Sequence, residues 1–157
     1  MSLARGILRG AAAGAAGTTA LNAVTYLDMA VRGRPASSAP QTAVRTIAGK
    51  LGVLIPDDDE TAENRVAGLG PMLGILTGIG VGMVLGAARG TGWRPALPLS
   101  AAIAALGAMV GSDLPMTGLG ISDARHWSLA DWLSDAVPHV VFGLVAAAVA
   151  AATDPAD

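Results

Sequence analysis

Three ionisable side chains share one helical spacing in the last quarter of the chain: Asp131, Asp135 and His139. Steps of four place them roughly along one face of a continuous helix. A carboxylate beside an imidazole favours the charged ring, so an Asp135–His139 contact would act as a protonation switch near neutral pH. Pro138 works against it, because proline removes a backbone donor and can kink the helix. The plainer alternative is a histidine that hydrogen-bonds a neighbouring helix. A second constellation, Asp123, His126, Asp135 and His139, has metal-ligand chemistry. Its spacing is loose beside real zinc signatures, so neither a metal nor another cofactor is expected. The acidic run from Asp57 to Glu60 lacks EF-hand spacing and reads as the solvated start of a helix, where it suits the helix dipole. The absence of cysteine removes thiolate nucleophiles, disulfides and Cys-ligated metals. No phosphate-cradling glycine loop or nucleophile elbow occurs, so catalysis is not expected.

The elements that must carry these residues are set by composition. Apolar residues make up 52% of the 157, charged residues only 14%, and mean hydropathy is +0.54. A soluble domain carries about 25% charged residues. A chain this poor in charge would expose large apolar patches to water, and a bilayer removes that difficulty. The net charge of −2 gives no electrostatic case for nucleic acid. The expectation is an all-α, polytopic membrane protein forming one domain over residues 1–157, with the lipid bilayer as its first partner.

Four spans follow from the apolar runs. The clearest covers residues 69–88, twenty residues without a charge, which as a helix is about 30 Å long and matches the hydrocarbon thickness of a bilayer. Two more cover about 96–114 and 135–152. The first, about 6–29, resembles a signal peptide at its start, but its apolar character continues past Asn22 and no cleavage site follows, so a retained helix is expected. In the first connection, 32–68, Ala43, Val44, Ile47, Ala48 and Leu51 share one face of an amphipathic helix at 41–51, expected on the membrane surface or against the other helices. In the last connection, 112–134, Ser128 and Asp131 resemble a capping box, which predicts a short interfacial helix bending into the final span near Pro138. Trp93, Trp127 and Trp132 are expected as interfacial anchors.

Glycines recur every fourth residue at Gly70, Gly74, Gly78, Gly82 and Gly86. Gly6, Gly10 and Gly14 do the same in the first span, Gly107 and Gly111 in the third, and Gly143 opens a small-residue series in the fourth. Such ladders let helix backbones approach closely in lipid. Four residues turn a helix by about 400°, so a ladder drifts about 40° per step. One straight seam is therefore not expected, and the 69–88 helix should pack on more than one neighbour.

Two segments, Gly10-Ala-Ala-Ala-Gly14-Ala-Ala-Gly17-Thr18 and Pro138-His139-Val-Val-Phe142-Gly143-Leu144, resemble small four-helix bacterial inner-membrane proteins, including the YagU-like group. The resemblance implies a four-helix bundle in the bacterial inner membrane and, for that group, a link with acid tolerance. It transfers no catalytic residue. The short loop 89–95, with Arg89 and Arg94, places both termini in the cytoplasm, although the raw Lys/Arg count favours the other side. The leading functional expectation is a non-enzymatic accessory or scaffold subunit that associates with itself or with a larger membrane complex. The alternative is a small proton-linked transporter or channel using Asp135 and His139.

Overall fold

The computed structural model describes residues 2–53, 55–56 and 60–154, so Asp57–Asp59 of the acidic run lie outside the described residues. Among the described residues five helices follow one another: α1 (Leu3–Arg32), α2 (Ala39–Lys50), α3 (Glu60–Gly90), α4 (Leu97–Gly118) and α5 (Leu129–Ala152), with a 3-10 turn at Ala124–His126 before α5. No strand occurs among the described residues. Among the described residues three helices, α3, α4 and α5, are long and apolar enough to cross a membrane. At 30 residues α1 matches them in length, but Gly, Thr and Asn22 dilute its apolar stretch.

The ends of these helices follow from local chemistry. At the end of α1, Gly33 has a positive φ of 63° and donates its N–H to the carbonyl of Met29, a conformation that glycine adopts without a Cβ penalty. At the start of α5, the Ser128 hydroxyl accepts from the N–H of Asp131 while the Asp131 carboxylate accepts from the N–H of Ser128. This reciprocal cap begins the helix at Leu129, and the chain then continues as one helix through Pro138 to Ala152. The separate short helix expected before the last span is therefore its first two turns. Proline costs one backbone bond here, to the carbonyl of Ser134, and the rest of the ladder carries the helix on.

The long helices lie side by side in the cyclic order α1, α3, α4, α5, with neighbours antiparallel. Gly6 faces Gly86, Gly10 faces Gly82, and Gly14 faces Gly78 across α1 and α3. Gly17 lies on Phe142 of α5, Gly143 of α5 lies on Ala101 and Ala105 of α4, and Gly107 and Gly111 of α4 meet Val81 and Thr77 of α3. The α3 ladder divides as its drift requires. Gly70 meets Pro40 and Gln41 of α2, Gly74 faces open space, and Gly78, Gly82 and Gly86 pack on α1. The interior is built of small residues such as Ala13, Ala104, Ala108 and Ala146, with Phe142 the largest fully buried side chain. Large aliphatics point outwards instead, among them Leu76, Val84, Leu106, Val110 and Leu144. That inverted distribution suits lipid outside and close helix contact inside.

The two ends of the structure differ. At one end, Leu3 approaches Gly90, and buried Arg89 donates from Nε (3.0 Å) and Nη2 (2.6 Å) to Oδ2 of Asp154. At the other end, α2 packs on α3 through Ala43 and Val44, and Arg45 pairs with Glu63. Ile47 and Leu51, placed on the same face by the sequence, remain exposed. Arg32 of α1 donates to the hydroxyl of Ser134 of α5 at 2.7 Å, and Asp28 pairs with Arg34 at 2.5 Å.

Candidate functional site

A cavity of about 400 Å³ opens between the helices at the α2 end, within the usual size range of small-molecule sites. Each helix contributes to it. Asn22, Thr25 and Tyr26 come from α1, Gln41 from α2, Thr77 from α3, Ser112 and Asp113 from α4, and Asp135 and His139 from α5. Trp127, just before α5, also lines it. The absence of a side chain at Gly74, which lines the cavity with nothing near its Cβ position, helps to keep the space open.

The histidine is held tightly. Its ring is largely buried, and Nδ1 lies 2.8 Å from the backbone carbonyl of Asp135 and 3.4 Å from Asp135 Oδ1. A carbonyl oxygen only accepts, so Nδ1 carries a proton and donates to it. In the neutral ring, Nε2 is then the acceptor, and it faces the Ser112 hydroxyl at 3.4 Å. On protonation Nε2 becomes a donor, and Ser112 can present its lone pairs, because its hydroxyl also reaches the Ala108 carbonyl at 3.0 Å. Ser112 thus accommodates either charge state by rotating one hydroxyl. The Pro138 kink expected to part Asp135 from His139 does not do so.

Asp113 enters the same group from α4, close enough to feel the charges of both Asp135 and His139. Its hydrogen-bond partner is again Ser112, at 3.2 Å. It sits near the end of the apolar run of α4, where the expected span 96–114 and the expected connection 112–134 overlap. An acidic residue in a helix otherwise made of Ala, Leu and Gly was the signal available. Gln41 was missed for a different reason, since only folding brings α2 over the cavity. Two oxygens on the lining residues, Asp135 Oδ2 and Gln41 Oε1, are shielded from solvent and have no hydrogen-bond donor among the described residues.

The other sequence candidates fall elsewhere. Asp131 is exposed and held in the Ser128 cap, so it does not join Asp135 and His139 at the cavity. Asp123 and His126 lie 3.3 Å apart around the 3-10 turn, and no cluster of three or more metal-ligating side chains forms among the described residues. Arg125 also binds Asp123, through side chain and backbone, and holds its carboxyl far below the usual carboxylate range. Trp127 donates to Ser122 at 3.0 Å and meets Trp132 edge-on at 5.1 Å, while Trp93 is half-exposed at the opposite end.

Three in-helix prolines lie around this region. Pro71 of α3 lines the cavity, Pro138 precedes His139, and Pro115 follows Asp113 by two residues in α4. Each deprives a carbonyl four residues earlier of its helical donor, so the helices are weakest in their own ladders around the polar group. Comparison of the chain with family models, with curated proteins and with solved structures gives no match.

Proposed function

We propose that this chain is a four-span membrane protein whose cavity takes up a small solute, with Asp135 and His139 as a proton-exchanging pair. The observation that carries the reading is the convergence of Asp113, Asp135 and His139 from two apolar helices on one cavity, with Asp135 Oδ2 left without a donor. Ionisable groups inside apolar helices are costly and mark solute or proton pathways. The fourth span is α1. It contacts α3 backbone to backbone from Gly6–Gly86 to Gly14–Gly78, so α1 accompanies α3 through the bilayer wherever α3 goes. Four crossings put both termini on one side, which the short arginine-bearing loop 89–95 favours as the cytoplasm of a bacterial inner membrane.

A scaffold or self-associating subunit is the weaker reading. Its support was the glycine ladders, and Gly6, Gly10, Gly14, Gly78, Gly82, Gly86 and Gly143 are occupied by contacts within one chain.

The natural absence of cysteine makes the test direct. Gly74→Cys, at the open position on the cavity wall, should react with a hydrophilic, membrane-impermeant thiol reagent in proteoliposomes. Its rate relative to Thr91→Cys, an exposed control, should depend on pH, and His139→Gln should remove that dependence. A Gly74→Cys protein as unreactive as the outward-facing Leu106→Cys would sink the reading.

A further inference from the structure

The chemistry of the cavity wall specifies a class of occupant. We infer that the cavity binds an organic ammonium group, its nitrogen held by Asp135 and Gln41 and its apolar body lying against the helix walls. The inference rests on the reading of the cavity as a solute site and adds what that solute is.

Charge is the first argument. Asp113 and Asp135 both line the cavity, and among the described residues no lysine or arginine does, which leaves His139 as the only basic group among them. The nearby arginines are committed elsewhere, Arg32 and Arg34 to Asp28 and Arg32 also to Ser134. An anionic occupant would meet two carboxylates with a single ring to offset them.

Hydrogen-bond polarity is the second. Asp135 Oδ2 and Gln41 Oε1 are both acceptors, both buried, and both without a donor among the described residues. A buried acceptor left unmade is costly, and a donor-only group with several N–H bonds suits a wall that presents acceptors. An ammonium is such a group; a carboxylate is not, and a hydroxyl supplies one proton only.

The remaining wall is the third. Leu21, Met29, Ile75, Met116 and Phe142 supply apolar surface, and Tyr26 and Trp127 add aromatic faces that attract a cation. A bare inorganic cation would gain nothing from the aliphatic surface, and no cluster of three or more metal-ligating side chains forms among the described residues. An ammonium on a short hydrocarbon body uses both halves of the site.

The test is binding of n-hexylammonium, with 1-hexanol and hexanoate as probes of equal chain length, to the whole protein in phosphatidylglycerol nanodiscs. Empty nanodiscs correct for partition into lipid, and tryptophan fluorescence reports occupancy through Trp127. Hexylammonium should bind, hexanoate should not, and hexanol should bind at least about tenfold more weakly, since a charge-assisted hydrogen bond is at stake. Asp135→Asn should weaken hexylammonium at least about tenfold with the helical circular dichroism unchanged. If that variant does not fold, Gln41→Leu provides the same comparison from α2. Phosphatidylethanolamine added to the nanodiscs separates two sources of the ammonium: competition with hexylammonium identifies a lipid headgroup, and its absence identifies a free amine. Hexanol or hexanoate binding as tightly as hexylammonium overturns the proposal while leaving the cavity a solute site. No binding by any probe overturns both.

Discussion

The contact between α1 and α3 can be broken by a single methyl group. A Cβ added at Gly10 would lie 2.2 Å from the carbonyl oxygen of Gly82 and 2.8 Å from Cα of Gly86. Both atoms are backbone, so no side chain can swing away, and real Cβ contacts essentially never fall below 3.0 Å. In Gly10→Ala the two helices must therefore separate locally by close to 1 Å. A gap of that size forfeits a quarter to a half of the dispersion energy of each contact it opens, and overpacking of a tight core costs about 1–3 kcal/mol. Alanine's better helix propensity returns about 1 kcal/mol, so the net expectation is a loss of up to about 2 kcal/mol. Gly74→Ala is the matched control. Nothing lies within 4 Å of its Cβ position, so only the propensity gain remains, and the variant should be neutral or up to about 1 kcal/mol more stable. Unfolding of the reconstituted protein by denaturant in mixed micelles, followed by far-ultraviolet circular dichroism, compares the two. Gly10→Ala as stable as the parent, or Gly74→Ala the more damaging, would refute the packing argument. The second outcome would point to a contact at Gly74 with another chain.

Three further predictions follow from the same packing. Phe142 is fully buried against Gly17 and Gly78, so Phe142→Ala should cost about 3–5 kcal/mol in the same assay, and a cost below about 1 kcal/mol would show that the site collapses without strain. Asp154→Ala strands buried Arg89 and should cost about 3 kcal/mol, whereas Arg89→Met with Asp154→Ala should recover part of that loss; equal losses in single and double variants would mean that the pair contributes nothing beyond packing. The Asp123 carboxyl is held below its ordinary range by Arg125, so its stabilisation of the 3-10 turn is complete above about pH 4 and disappears only as pH falls through the lower folded value. The difference in tryptophan fluorescence between the parent and Asp123→Asn should consequently stay constant from pH 8 to about pH 4, and a change in that difference within the range would contradict the ion pair.

Much of the architecture was legible because it follows from periodicity. The apolar runs located α3, α4 and α5 to within a few residues at most ends, and the drift of the α3 glycines implied more than one packing neighbour, as Gly70 on α2 and Gly82 on α1 have. The Ser128–Asp131 cap was also legible, but its consequence was misread. It opens the long helix α5 rather than a short separate one, because Pro138 costs one hydrogen bond and not the helix. The site was half legible. Asp135 and His139 sit one turn apart on one helix, so their contact is local and the spacing shows it. Asp113, Gln41 and the Arg89–Asp154 pair depend on which helices become neighbours, and no spacing within one segment encodes that.

The central claim is that His139 is a protonatable group on the wall of a solvent-connected cavity, held by Asp135 and Ser112. Nitrogen-15 NMR of histidine-labelled protein in nanodiscs tests it, with His126, which is exposed on the loop, as an internal reference. The account predicts that Nδ1 of His139 stays protonated throughout, bound to the Asp135 carbonyl, while Nε2 gains and loses its proton reversibly as pH is changed. A neutral ring protonated at Nε2, or a His139 signal that ignores pH, would contradict it.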